Sequence, residues 1–520
     1  MYFIKLLDSL GEHFNLNTMI FGIDLGTTFS LISHLNASGI PAVCPCRSNG
    51  QKFQTPSLVH IGPRGCLVGD IVEELLVEEP GLEICRFPKL SMGENTTVFT
   101  DHTDFNYSAE AISAVILRKL RNDAETALNE TVTGVVISVP AHFNEAQRQA
   151  TQNAGRLADL PVLGLVEEPV AAATFFGLEA KRGEKTIFVF DIGGGTLDAT
   201  LLQATPDGLY VLATEGSKNI GGKNFDDAIM QLVREQFMAQ HRVDVSEDVA
   251  SWQKLRQFAT AAKIELCTAG TGAITRPLLL AGKSARVTLT RDQFETSIEP
   301  WLDACSVVCQ DSLKAAGIHW NEIDDLVMTG GSSLVPAVER MIRRISNLPT
   351  DRIRRQHPHA AIAYGAALLA EQFHGSGKTA APPLRQLVTS NDLGLRLYDN
   401  EKGRPEFYVM IAKNTPLPVT YKQTIYTRRE NQENVSLEIL QRKDNYSEPE
   451  TLGTFTFGPL KTLEKNHPVE VVMGYDSNGR VTVTASDPRS AKTIAREFGG
   501  KEEQELGRVF KHLQNLVIQD

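Results

Sequence analysis

Two segments of the chain end an apolar, β-rich run in an aspartate followed by glycine and threonine. They are Phe21-Gly22-Ile23-Asp24-Leu25-Gly26-Thr27-Thr28 and Phe188-Val189-Phe190-Asp191-Ile192-Gly193-Gly194-Gly195-Thr196. Each offers a carboxylate, bare backbone N–H groups and a hydroxyl. Glycine lets the backbone approach a phosphate, and successive N–H groups form an anion-binding concavity. A carboxylate beside that concavity repels phosphate unless a divalent cation lies between them. The pair therefore implies a Mg-ATP site in a cleft between two similar halves. One such loop alone is also an ordinary tight turn; its repetition points to phosphate.

The elements that must position these loops arrive in order. Residues 135–141 (VVISVPA) read as a buried strand, 167–173 (EEPVAAA) as a turn opening a helix, and 326–332 (LVMTGGS) as a strand ending in glycines. From 19 to about 373, strands alternate with helical crossovers, which predicts an α/β architecture with mostly buried sheets. Within it, 227–240 and 251–267 carry apolar residues at helical period. The segment 374–383 (HGSGKTAAPP) is small, polar and proline-ended, a boundary. Alternation of apolar and polar residues then dominates to about 485, as at 435–440 and 481–485, and predicts an antiparallel sandwich. Residues 501–520 place Leu506, Val509, Phe510, Leu513, Leu516 and Val517 on one helical face.

Composition bounds the function. A chain of 520 residues exceeds one core and predicts two to four compact units. A net charge of −11, with no clustered basic surface, argues against nucleic acid. No run approaches the roughly 18 apolar residues of a membrane helix. Charged residues at 5, 8 and 12 interrupt any signal-peptide core, so a cytoplasmic protein without membrane contact is expected. The seven cysteines, including Cys44, Cys46, Cys305 and Cys309, form no disulfide or zinc pattern; free thiols, metal ligands and oxidant sensors remain open.

VPAHFNEAQRQAT (139–151), EEPVAAA (167–173), FDIGGGTLD (190–198), IGGKNFD (220–226) and AYGAALLA (363–370) together resemble the actin, hexokinase and heat-shock-70 ATPase superfamily. More specifically, the chain is similar to the DnaK-type chaperones and their short HscC-like branch. The resemblance implies an actin-like ATPase domain of two duplicated lobes, then a β-sandwich peptide-binding domain and a short C-terminal helix. The expected boundaries are an N-terminal extension at 1–18, the ATPase at 19–373, a linker at 374–391, the sandwich at 392–490 and a truncated helical lid at 491–520. The linker departs from the family pattern: Arg385 and Gln386 interrupt its apolar run and its acid is missing.

The resemblance also implies roles. Asp24 and Asp191 hold Mg2+ through water, with K+ a further candidate ion. Lys89 orients the attacking water and stabilises charge on the γ-phosphate; a solvated surface lysine is the alternative. Glu168, Asp198 and Thr196 complete the catalytic group. ATP or ADP rests on Gly26, Thr27, Thr28, Gly193, Gly194, Gly195, Gly221, Gly222, Lys263, Ile264, Gly330, Gly331 and Ser332. Pro140 is either a switch between nucleotide state and lobe rotation or a structural proline. The nucleoside end is depleted: Thr260, Ile264, Cys267, Leu334 and His359 stand where related chaperones carry mostly charged or polar groups.

Tyr398, Ile425, Arg428, Val435, Leu437 and Tyr475 are expected around the peptide channel, although Ile425 and Leu437 equally suit a sandwich core. The implied partners of this monomer are unfolded or extended polypeptides and a J-domain cochaperone. The cochaperone surface is altered, because Gly164 replaces the arginine of related chaperones. A small-molecule kinase or an actin-like filament protein would use the same two loops.

Overall fold

The computed structural model describes residues 19–46, 52–63, 65–177, 184–268, 270–374, 384–399, 401–443, 447–460, 464–476, 479–498 and 503–519. The expected extension at 1–18 and most of the polar boundary segment lie outside them.

The first sheet contains β1 (Met19–Asp24), β2 (Phe29–Leu35), β3 (Pro41–Val43), β4 (Val132–Val139) and β5 (Val162–Glu167), in the order β5-β4-β1-β2-β3. The second contains β6 (Lys185–Ile192), β7 (Leu197–Thr205), β8 (Gly208–Ser217), β9 (Asp325–Thr329), β10 (Ile353–Arg354) and β11 (Leu384–Gln386), in the order β10-β9-β6-β7-β8-β11. The repeat seen in the sequence is a repeat of topology. β1 pairs antiparallel with β2 and parallel with β4, and β6 does the same with β7 and β9. Each Asp-Gly-Thr loop is thus the turn of a hairpin whose first strand is central in its sheet, and burial on both faces explains the continuous apolar runs.

Helices cover these sheets. α1 (Ala109–Leu128) and α2 (Glu145–Leu157) pack on the first, and Asn144 caps α2 by accepting from the Gln147 N–H at 2.9 Å. α4 (Gly222–His241) and α5 (Val249–Cys267) cover the second. Between the lobes, α3 (Glu168–Phe175) crosses α6 (Ala361–His374) in a separate core. A β-carbon on Gly365 would run into the Ala171 carbonyl, so small residues in the EEPVAAA and AYGAALLA motifs let the two helix backbones touch.

The C-terminal region is a sandwich of two four-stranded antiparallel sheets. One joins Arg404–Ile411, Asp392–Asp399, Val435–Arg442 and Glu450–Phe457; the other joins Val419–Tyr426, Pro468–Tyr475, Val481–Ser486 and Thr493–Phe498. Because Thr493–Phe498 pairs with Val481–Ser486, the sandwich continues past the boundary expected at 490.

The structure corrects the expected lid. The tail forms helix α7 (Glu503–Gln514), shorter than the pattern suggested, and it packs on the first lobe rather than over the sandwich. Leu513 is fully buried in that lobe's core, and Arg118 of α1 donates to the carbonyls of Leu513 and Leu516. His512 stacks on Phe105 with ring centroids 3.6 Å apart, and its Nε2 lies 2.8 Å from Tyr107 Oη. Ile518–Gln519 then adds a parallel strand to Gly65–Val68, where the Cys66 N–H donates to the Val517 carbonyl at 2.9 Å. An amphipathic pattern specifies that one face is covered, not what covers it. No helix among the described residues is long and apolar enough to cross a membrane.

Candidate functional site

The two hairpin turns face each other across a cleft of about 560 Å³ between the lobes. A β-carbon on Gly194 would collide with the Thr28 side chain, so the loops approach too closely for any residue but glycine there. The first loop is held from behind: Ser138 Oγ donates to Asp24 Oδ1 at 3.0 Å, and Ser57 Oγ donates to the Gly26 carbonyl at 2.9 Å. The second is tied to the start of α4 and to the turn Gly331–Leu334. The Gly222 N–H donates to the Gly193 carbonyl at 3.0 Å, the Lys223 N–H to the Gly194 carbonyl at 2.6 Å, and Ser332 Oγ to the Gly193 carbonyl at 2.7 Å.

Lys89 sits on a short 3₁₀ turn, Pro88–Ser91, and is buried in an ion pair with Glu168. That position rules out the solvated lysine. Asp24, Glu168, Asp191 and Asp198 are all buried around it. Burial opposes the Lys89 charge, but Glu168, Asp24 and Asp191 outweigh it and hold the lysine pKa above its ordinary value. Burial raises the Asp24 carboxyl against the pull of Lys89 and Ser138. It pushes Glu168 up to about 7 against the pull of Lys89. Asp191 lies well above the usual carboxylate range through burial and then through Glu168, Asp198 and Asp24.

One ammonium cannot neutralise four crowded carboxylates in a low-dielectric cleft. Asp191 Oδ1 and Asp198 Oδ2 moreover lack a hydrogen-bond partner. Orphaned buried oxygens of this kind are expensive. The residues present therefore fit a divalent cation with its water shell.

Gly26, Thr27, Thr28, Gly193, Gly194, Thr196, Gly222, Gly330, Gly331 and Ser332 line the cleft with the four residues Asp24, Lys89, Glu168 and Asp191. Lys263 and Ile264 line its outer end. Lys263 Nζ donates to the Gly222 carbonyl at 3.1 Å and lies 2.8 Å from Asp226. Asp198 stands behind the second loop, paired in register with Asp191. Gly195 and Gly221 are packed against one another beneath that loop.

Sequence reasoning missed Ser138, His142 and Arg355. His142 Nδ1 lies 2.8 Å from Asp198 Oδ1 while its Nε2 is buried without a partner. Arg355 lines the outer cleft and pairs with Glu339 at 2.5 Å. Ser138 lay inside an apolar strand run, where a polar residue at the strand's end was the available signal.

Pro140 begins the turn into α2. Beside it, Arg148 donates to the Phe143 carbonyl at 3.2 Å and to Glu167 at 2.7 Å, and Ser390 Oγ also reaches the Phe143 carbonyl, at 3.0 Å. The linker departs from a loose tether, since β11 pairs in parallel with β8.

In the sandwich, the Arg428 guanidinium lies 3.5 Å from the centroid of the Tyr398 ring. Ile425 is half-buried, while Val435 and Leu437 are core residues. Tyr475 does not join the channel group. It is buried, accepts from Gln441 Nε2 at 2.9 Å, and lines a small cavity with Glu145, Arg148 and Leu387 at the junction with the ATPase lobes. Alternation along its strand points it inward, and only the docked lobe decides what it meets. Six cysteines are buried and Cys267 half-buried; burial pushes the Cys44, Cys66, Cys85 and Cys305 thiols up to about 12. Such thiols are poor metal ligands, and among the described residues no three histidine, cysteine or carboxylate side chains converge to ligate a metal directly, so the cleft carboxylates suit a cation held through its water shell.

Residues 20–515 match the family model described as Hsp70 protein. The chain is similar to a chaperone protein DnaK of Prochlorococcus marinus (strain MIT 9515), 34% identical over 501 residues, which cover 91% of this chain and 77% of that protein.

Proposed function

The chain belongs to the Hsp70 family and is an ATP-dependent molecular chaperone with ATPase activity, and from that premise we propose how its cleft and sandwich divide the work. The observation that carries the proposal is the buried Lys89–Glu168 pair set between Asp24 and Asp191 at the meeting of the two loops.

Asp24 and Asp191 would hold Mg2+ through its water shell, supported by Asp198 and Glu168, with K+ as a further ion. When bound, the cation neutralises phosphate charge and polarises the γ-phosphate. The backbone N–H groups of the glycine loops, with Thr27, Thr28 and Thr196, orient the phosphates. Lys89, charged and shielded from solvent, aligns a water on the γ-phosphorus and stabilises the charge that develops there. Glu168 fixes the lysine and can accept a proton from that water, as its raised pKa near 7 suits.

A route from nucleotide to client is supported by contacts around Pro140. His142 touches Asp198 on the phosphate side, while Arg148 and Phe143 touch the linker side of the same turn. In family terms the clients are unfolded polypeptides and the cochaperones are J-domain proteins. In this chain Tyr398 and Arg428 bridge the client channel beside Ile425, with Val435 and Leu437 beneath, and Gly164 alters the cochaperone surface. A small-molecule kinase or filament protein is disfavoured because neither needs a sandwich docked through a linker strand.

Asp191→Asn tests the cleft. Nucleotide binding in Mg2+ should weaken more than binding in EDTA, and equal losses in both would remove Asp191 from the metal site. Release of a fluorescent extended peptide on adding ATP tests the coupling; unchanged peptide affinity would sink it.

A further inference from the structure

The outer end of the nucleotide cleft is poor in groups free to read a base. Thr260 Oγ1 donates to Asp226 at 3.0 Å, and Lys263 is held between Asp226 and the Gly222 carbonyl. Thr268 Oγ1 donates to the Ile264 carbonyl at 3.1 Å, and Arg355 pairs with Glu339. All four line the cleft, and all four have partners within the protein.

What the cleft presents instead is apolar. Ile264 on α5 is 59% exposed and Leu334 on the turn after β9 is 39% exposed, yet both line it. Large aliphatic side chains left open at a cleft from two different elements offer a flat ring a surface to stack on. Beside them stands His359, which has no hydrogen bond among the described residues and whose ring lies against Gly331. Partial desolvation at the cleft wall lowers the pKa of this solvent-accessible imidazole and favours its neutral form, in which one nitrogen is a donor and the other an acceptor. By exchanging tautomers it meets an amino group or an oxo group equally well. The Cys267 thiol, pushed up to about 11 by burial, adds only a weak neutral donor.

We propose that this chain recognises the phosphates of its substrate and scarcely its base, and so hydrolyses purine nucleoside triphosphates, GTP and ITP as well as ATP. The inference rests on the reading of the cleft given above and concerns its substrate class. The chemistry is the same for each substrate. A water oxygen bonds to the γ-phosphorus, the bond to the β,γ-bridging oxygen breaks with its electron pair leaving on the nucleoside diphosphate, and the water's proton passes to Glu168. The base takes no part. A site built to hydrogen-bond one substrate group rejects an analogue lacking it by about 10⁴–10⁵-fold, whereas an apolar slot discriminates by roughly 10–200-fold.

The test compares kcat/KM of the full chain for ATP, GTP and ITP in Mg2+. Values within about 100-fold of one another are expected, and a larger preference for ATP overturns the proposal. Asp191→Asn should abolish all three activities; GTP hydrolysis surviving that change belongs to another protein and counts against it. His359→Ala should lower kcat/KM for ATP and GTP by similar factors, and a loss confined to ATP would show that His359 reads adenine. A second readout needs no turnover. Cys267 is the half-buried thiol and the other six are buried, so a small maleimide should label Cys267 first, with ADP and GDP protecting it alike. Protection by ADP alone overturns the inference, while absence of both protection and hydrolysis with every nucleotide would instead overturn the cleft reading itself.

Discussion

Lys89 is the cation set within the ring of buried carboxylates, and its burial against Glu168 suits the catalytic role proposed for it. Lys89→Ala should leave nucleotide binding largely intact, because the glycine loops and hydroxyls remain. Single-turnover hydrolysis should fall at least ~100-fold, on the order of 3 kcal/mol of transition-state stabilisation. Rapid-quench measurement on the preformed ATP complex decides this, and an unchanged rate would take Lys89 out of the reaction. The sequence displayed Asp24, Asp191 and their glycines because a phosphate loop is a local device. Ser138 and His142 were hidden because they act on carboxylates 114 and 56 positions away, at separations no local pattern reports.

At the scale of elements, α7 and α2 do work that their own sequences do not announce. α7 seals the first lobe, with Leu513 as the plug. Leu513→Ala should destabilise that lobe by about 2–5 kcal/mol. Calorimetry of the full chain would show a lowered transition for the ATPase lobes; an unshifted transition would mean that the tail docks only weakly. α2 carries Glu145 in its first turn, against the sandwich residues Asp476, Arg480 and Glu497. Burial, with Asp476 and Glu497 adding and Arg148 and Arg480 opposing, pushes this carboxyl from its ordinary 4.5 up to about 8. The docked arrangement therefore binds a proton that the separated one releases. Docking is favoured at low pH and weakens progressively as pH rises from about 4.5 to about 8. Glu145→Gln should flatten that dependence. Protease protection of the linker followed across this range tests it, and an equally steep profile in the variant would assign the proton elsewhere.

At the scale of the whole molecule, a strand pairing and several polar contacts join the linker and sandwich to the second lobe. β11 extends the second lobe's sheet, Arg385 Nε donates to the Asp207 carbonyl at 2.6 Å, the Thr214 N–H donates to Asn414, and Lys413 pairs with Glu215 at 2.6 Å. A partly shielded pair of this kind is worth ~1 kcal/mol. Lys413→Glu alone, or Glu215→Lys alone, should shift the protein toward separated domains and reduce the response of ATPase to peptide. The double exchange should recover much of both. A double variant no better than either single would show that the pair does not hold the domains together.

Whereas Lys89, Glu168 and Asp198 were implied by the family resemblance, the sequence by itself determined the two duplicated lobes, the phosphate loops with Asp24 and Asp191, and a sandwich after a polar boundary. Each is written in short-range terms: glycine where backbones must touch, period-two alternation where one face is buried, and continuous apolar runs where both are. Only the tertiary structure decided which partner each buried face met. It moved the tail from the sandwich to the first lobe, taking His512 to Tyr107 across 405 positions. It turned Tyr475 from the channel to the domain junction, and it engaged Thr260, Lys263 and Arg355 at the outer end of the cleft while His359 makes no hydrogen bond among the described residues. The first two share one physical reason. Hydrophobic burial is non-directional, so a pattern tells that a surface is covered, while the covering surface is chosen by the packing of the whole chain.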